Sequence, residues 1–106
     1  MYEYMKGRVM DRELATHAAE VLKAVAHPIR LQIVEVLQDG ERCVGQIAET
    51  LGEKQAITSQ QLNIMKSKGV VACRRDGAKI YYRLENKNVV RVLDCVYNHC
   101  QAGKRG

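Results

Sequence analysis

Leu14, Ala18, Val21, Leu22 and Val25 recur at helical spacing, which predicts an amphipathic helix over 11–26. Residues 1–10 show no such pattern and are expected to form a flexible arm or the start of that helix. Pro28 suits the first turn of a second helix, where its missing N–H forfeits no hydrogen bond. That helix, predicted over 29–38, carries Ile29, Leu31, Ile33, Val34, Val36 and Leu37 on nearly every side, so it is expected at the centre of the core. Asp39-Gly40 stops it. Val44, Ile47, Ala48 and Leu51 then mark one face of a short helix over 44–51, which Gly52 ends.

The next helix, predicted over 55–68, divides differently. Ile57, Thr58, Gln61, Leu62, Ile64 and Met65 fall on one side, and Gln55, Ala56, Ser59, Gln60, Asn63, Lys66 and Ser67 on the other. The second face is small and polar, with one cation and no carboxylate. An ordinary solvated face mixes Glu with Lys, whereas an acid-free one can approach phosphates and hydrogen-bond base edges. Gly69 closes the helix and 70–73 reads as a strand. Asp76-Gly77 predicts a two-residue hairpin turn, and Ile80, Tyr82 and Leu84 alternate with Tyr81 and Arg83 on the returning strand over 80–84. Arg74, Arg75 and Lys79 surround the turn against Asp76 alone.

A polar helix followed by a basic hairpin is the order of a helix-turn-helix, here 44–68, with a wing, here 70–84. The expected fold is therefore mainly α with a β-hairpin wing: one winged helix-turn-helix domain of five helices over 1–106. The last helix, predicted over 87–101, aligns Val89, Leu93, Val96, Tyr97 and Cys100 on one stripe. It arrives after the winged unit is complete, so its stripe needs another partner. Together with 11–26 it predicts an α-helical dimer interface, and two-fold symmetry then sets two recognition helices ~34 Å apart.

Composition narrows the function. Seventeen Lys and Arg against 12 Asp and Glu give a net charge of +5, which fits an anionic partner such as nucleic acid. All five aromatic residues are Tyr, so the core is aliphatic. A chain of 106 residues has no room for a large enclosed substrate cleft, and no nucleophile–base pair or phosphate loop stands in it. No enzyme activity and no required cofactor are expected. With no apolar run of membrane-span length and no secretory leader, a cytoplasmic protein without a membrane partner is expected. In that compartment Cys43, Cys73, Cys95 and Cys100 stay reduced. No Cys-x-x-Cys pair occurs, and Cys73, inside an apolar run, reads as a packed hydrophobe. The competing class, a thiol or metal carrier that does not bind DNA, leaves the acid-free helix and the basic hairpin unexplained.

The stretches AHPIRLQIVEVL, GERCVGQIAETLG, AITSQQLNIMKSKGVV and RRDGAKIYYRL resemble the arsenic-repressor (ArsR/SmtB) family of bacterial sensors, over about residues 14–100. The resemblance implies a homodimeric repressor that leaves its double-stranded operator when an inducer arrives. It makes TSQQL the heart of the recognition helix and so brings Thr58 into the DNA-contacting set. That set is Gln55, Thr58, Ser59, Gln60, Asn63 and Lys66 on the helix, with Arg74, Arg75 and Lys79 on phosphates at the wing.

The same resemblance frames the inducer. The family's arsenic and cadmium sensors use a Cys-Val-Cys stretch on the third helix, of which Cys43-Val44-Gly45 keeps only the first thiol. Its zinc sensors place ligands on the last helix, where this chain has Asp94 and His99 but no Asp-x-His. Its persulfide and redox sensors pair a Cys near the third helix with one at the end of the last. Cys43, displaced by one position, and Cys100 are similar to that pair. Two thiols brought together close a disulfide, or a longer bridge of added sulfur, and so tie the recognition domain to the dimer helix. The inducer implied is a persulfide, another reactive sulfur species or an oxidant. The alternative is As(III) or another soft metal ion at Cys95, His99 and Cys100, with or without Cys43. Cys95 and Cys100 stand about 140° apart on a regular wheel, so one ion takes both only if the helix end frays.

Overall fold

The computed structural model describes residues 9–100, His99 and Cys100 in backbone only. Most of the arm expected over 1–10, and residue 101 of the last helix, lie outside the described residues. Helix α1 spans Arg12–Val25 and starts where Asp11 Oδ1 accepts the Leu14 N–H at 2.8 Å. Helix α2, Pro28–Leu37, starts in the same way, with His27 Nδ1 accepting from the Ile29 N–H at 3.1 Å. These caps satisfy N–H groups that the first turn of a helix leaves free. Ile33 and Val34 are fully buried, so α2 is the central helix that its apolar sequence predicts.

Helices α3 (Val44–Leu51) and α4 (Gln55–Ser67) are joined by a turn in which Gly52 takes a left-handed φ of 68°. Ile47 of α3 and Leu62 and Met65 of α4 close over α2 in one core cluster. A polar tie crosses this apolar contact. Arg30 Nε donates to Gln61 Oε1 of α4 at 3.0 Å, and Arg30 Nη1 donates to the Lys23 carbonyl of α1 at 3.1 Å. One guanidinium thus fixes α4 against both α1 and α2, adding a directional, part-buried tie to contacts that are otherwise apolar.

The sheet has three strands, one more than the hairpin pattern predicts. Strand β1 (Arg42–Cys43) pairs antiparallel with β3 (Lys79–Leu84), which pairs antiparallel with β2 (Val71–Asp76), in the order β1-β3-β2. Cys43 stands opposite Tyr81, and Arg74 stands opposite Tyr81 from the other side. The hairpin turn sits one residue later than Asp76-Gly77. Asp76 pairs with Lys79, so Gly77 and Ala78 are the central residues. Gly77 has φ 66° and, among the described residues, no non-glycine has a positive φ; this is the pattern of a two-residue turn with Gly first.

The last helix departs most from expectation. A 3-10 turn, Lys87–Val89, leads into α5, Val90–Cys95, and the chain then winds as a π-helix over Val96–Cys100. Val89 and Leu93 are buried with the core of their own chain, so only the far end of the expected stripe stays open. The Tyr97 hydroxyl donates to the Glu35 carboxylate and fastens this segment to α2. Leu14 and Leu22 on α1 are 53% and 54% exposed and Tyr97 is 50% exposed, which leaves an apolar surface that no described residue covers.

Candidate nucleic-acid interface and the adjoining thiol

Helix α4 turns Ile57 and Ile64 partly, and Leu62 and Met65 fully, toward the body, and the rest of its surface follows from that anchoring. Gln55, Ala56, Gln60, Asn63, Lys66 and Ser67 are exposed and Ser59 is half-exposed. No acidic residue occurs anywhere in the helix. Thr58 is the correction to the expected set. It is 0% exposed, and its hydroxyl donates to the Lys54 carbonyl at 3.0 Å, so it caps a turn inside the protein and cannot reach a duplex. Helical spacing puts Thr58 on the inward side with Ile57 and Leu62, and only its place in TSQQL points it to DNA.

The wing extends past the core. Val71 is buried and Cys73 half-buried, whereas Arg74, Arg75 and Asp76 are exposed, as is Lys79 on the return. Among the described residues Arg75 and Lys79 have no ion pair, so both cations stay available to phosphates. Arg74 is engaged. Its Nε donates to both Glu41 carboxylate oxygens, at 2.9 and 3.1 Å, and its Nη2 to Glu41 Oε1 at 2.8 Å. Arg74 Nη1 also lies 3.7 Å from Asp76 Oδ2, and the guanidinium carbon sits 5.0 Å from the Tyr81 ring centroid.

Those hydrogen bonds hold the Glu41 carboxyl below its ordinary value of 4.5, and they raise Arg74 in turn. A carboxyl with a depressed folded value stabilises the fold above its unfolded value, and that contribution is lost as pH falls through the folded one. The pair therefore stays closed at neutral pH and opens only in acid. Titrating the Glu41 carboxyl by carbon NMR between pH 2 and 6 is expected to give a midpoint below 4.5 that returns to the ordinary value in Arg74→Gln. An unshifted midpoint in the unaltered chain would show that no clamp forms in solution.

Gln55 at the start of α4, Lys79 at the wing and Cys43 line one open groove of about 570 Å³, together with Gln46 and Glu49 of α3. Cys43 is half-exposed at the N-cap of α3, and Gln46 Oε1 accepts its N–H at 3.0 Å. The fold thus brings a candidate thiol beside two candidate DNA contacts. Cys73 is half-buried against the core and Cys95 is exposed. The side chains of His99 and Cys100 lie outside what is described. Among the described residues, no three His, Cys, Asp or Glu side chains cluster as metal ligands, and no helix is long and apolar enough to cross a membrane. Glu41 is the residue that sequence reading missed. It lies 33 positions from Arg74, in a connection without periodicity, and only the excess of wing cations hinted that one of them has a carboxylate partner.

Comparison with known proteins agrees with this geometry. Residues 27–72 match the model of the bacterial regulatory protein, arsR family. The chain is 40% identical over 86 residues to the HTH-type transcriptional repressor SmtB of Mycobacterium tuberculosis, covering 80% of this chain and 64% of that one. It is 37% identical over 83 residues to the biofilm growth-associated repressor of Agrobacterium fabrum, covering 78% of this chain and 71% of the other. Among solved structures it is similar, with a TM-score of 0.71 and 37% identity, to the homodimeric winged helix-turn-helix DNA-binding domain of a Mycobacterium bovis protein, over 92% of this chain and 91% of that one.

Proposed function

The chain belongs to the arsR family of bacterial regulatory proteins, with a winged helix-turn-helix fold, and from that premise we propose that it is a homodimeric, cytoplasmic repressor of transcription that binds a double-stranded operator and lets go when its thiols react. The observation that carries the DNA reading is the acid-free outer face of α4 beside two wing cations that have no ion pair among the described residues. On this reading Gln55, Ser59, Gln60 and Asn63 meet base edges and nearby phosphates, and Lys66, Arg75 and Lys79 meet phosphates. Leu14 and Leu22 of α1, with Tyr97, supply apolar surface for a second copy to cover. The inducer is a persulfide, another reactive sulfur species or an oxidant that joins Cys43 to Cys100. What supports Cys43 is its half-exposed place in the groove shared with Gln55 and Lys79.

The test combines mass and binding. Reduced protein treated with polysulfide is expected to gain whole sulfur atoms in a Cys43–Cys100 link and to leave the operator. A coupling of ~1–3 kcal/mol weakens binding up to about a hundredfold. Cys43→Ser and Cys100→Ser are each expected to remain bound under the same treatment. Release in both variants would sink the thiol pair. Arsenite retained by Cys95 and Cys100, without the sulfur link, would replace it with a soft-metalloid sensor, His99 or Cys43 completing the ligand set.

A further inference from the structure

The Glu41–Arg74 contact is surplus to everything above. A wing whose task is to meet phosphates commits one of the three cations around its turn, through Nε and Nη2, to a carboxylate in the body of the protein. Three donor–acceptor contacts of 2.8 to 3.1 Å join the two side chains in the fork geometry that only Arg offers a carboxylate. A second carboxylate, Asp76, lies 3.7 Å from Nη1 of the same guanidinium, so a phosphate approaching it meets two anions. The guanidinium also lies over the ring of Tyr81, its own cross-strand neighbour, at stacking distance.

The position of the pair explains its use. Val71 and Cys73 of β2 and Ile80 and Tyr82 of β3 rest on the core, whereas from Arg74 outward β2 itself is exposed. A two-stranded ribbon whose outer half meets the core through half-buried β3 residues such as Ile80, and through none of β2, gains from a further tie to the body. Glu41 precedes β1, the strand that ties the body to β3, and reaches across to Arg74, the first exposed residue of β2. We propose that Glu41 is the positioning residue of the wing. It clamps Arg74 against Tyr81 and so sets the angle at which Arg75 and Lys79 reach the duplex. Arg74 is a strut and makes no phosphate contact. This rests on the reading of the hairpin as a DNA-contacting wing.

The decisive variant is Glu41→Gln/Arg74→Gln, which removes the clamp and leaves net charge unchanged. An operator is first selected by the unaltered protein from a pool of random duplexes, and affinity for it and for a scrambled duplex is then measured across a salt series. If nothing is selected, the DNA-binding reading falls and the clamp is not at issue. Otherwise the double variant is expected to lose roughly fivefold or more of its operator-over-scrambled preference while its salt dependence keeps the same slope. Arg74→Lys, which keeps the charge and loses the fork, is expected to behave alike. A slope shallower by about one in the double variant marks Arg74 as a phosphate contact and overturns the proposal. An unchanged preference overturns it as well. Thermal melting of each variant checks that the fold is intact; because the pair is exposed, melting is expected to stay within a few degrees.

Discussion

Gln60→Glu is expected to weaken operator binding by about a hundredfold or more and to leave thermal melting unchanged. Gln60 is exposed on α4, in a face without carboxylates, and touches none of the core cluster, so folding does not use it. On the duplex the substitution acts twice. It removes an amide able to read a base edge, a contact of about 1–3 kcal/mol, and it sets a negative charge against phosphates at low dielectric. Fluorescence anisotropy on the selected operator at two salt concentrations, with circular dichroism of the free protein, measures both halves. Retained affinity would put a different face of the protein on DNA.

The second large effect is on stability. Leu62→Ala is expected to cost about 2–5 kcal/mol, from lost transfer energy together with the cavity left behind. Leu62 is 0% exposed and lies in the cluster with Ile33, Val34, Ile47 and Met65, where no solvent-facing rearrangement can fill the space. Small domains hold about 5–15 kcal/mol in all, so this one methyl-bearing branch carries a large share. Urea unfolding at fixed protein concentration measures it, with Gln60→Ala, exposed on the same helix, as the neutral comparison. A loss below about 1 kcal/mol would mean that α4 does not pack on α2 as described.

Where local pattern decides structure, the sequence was legible. Helix α3 occupies the 44–51 that its apolar spacing predicts, because Gly52 supplies the left-handed stop. Most of the acid-free face of α4 was readable on the same ground, since each inward residue fixes its neighbours at a constant angle. Three features depended on distant partners. Strand β1 has two residues and no alternation, and exists only because β3 lies beside it. The Glu41–Arg74 clamp joins positions that no window spans. The regular wheel drawn over 87–101 assumed one helix, whereas the chain takes 3-10, α and π windings in turn, and Val89 and Leu93 serve their own protomer's core. Thr58 is the opposite case: helical spacing alone puts it inside, where it is, and the family motif puts it on DNA.

Helix α1 lends only Ala24 and Val25 to the fully buried interior, both in its last turn. Before that turn the helix packs only partly on the described body, through half-buried residues such as Val21, and a helix of fourteen residues is marginal by itself in water. In the proposed dimer, α1 reaches its full order together with the second copy, so folding and association become one equilibrium that dilution shifts. Below the association midpoint the population of competent dimer rises with the square of the protomer concentration. A cell that halves its supply of this regulator would then lose about three quarters of its operator-competent form, a steeper genetic dosage response than a monomeric reader of the same sequence could give.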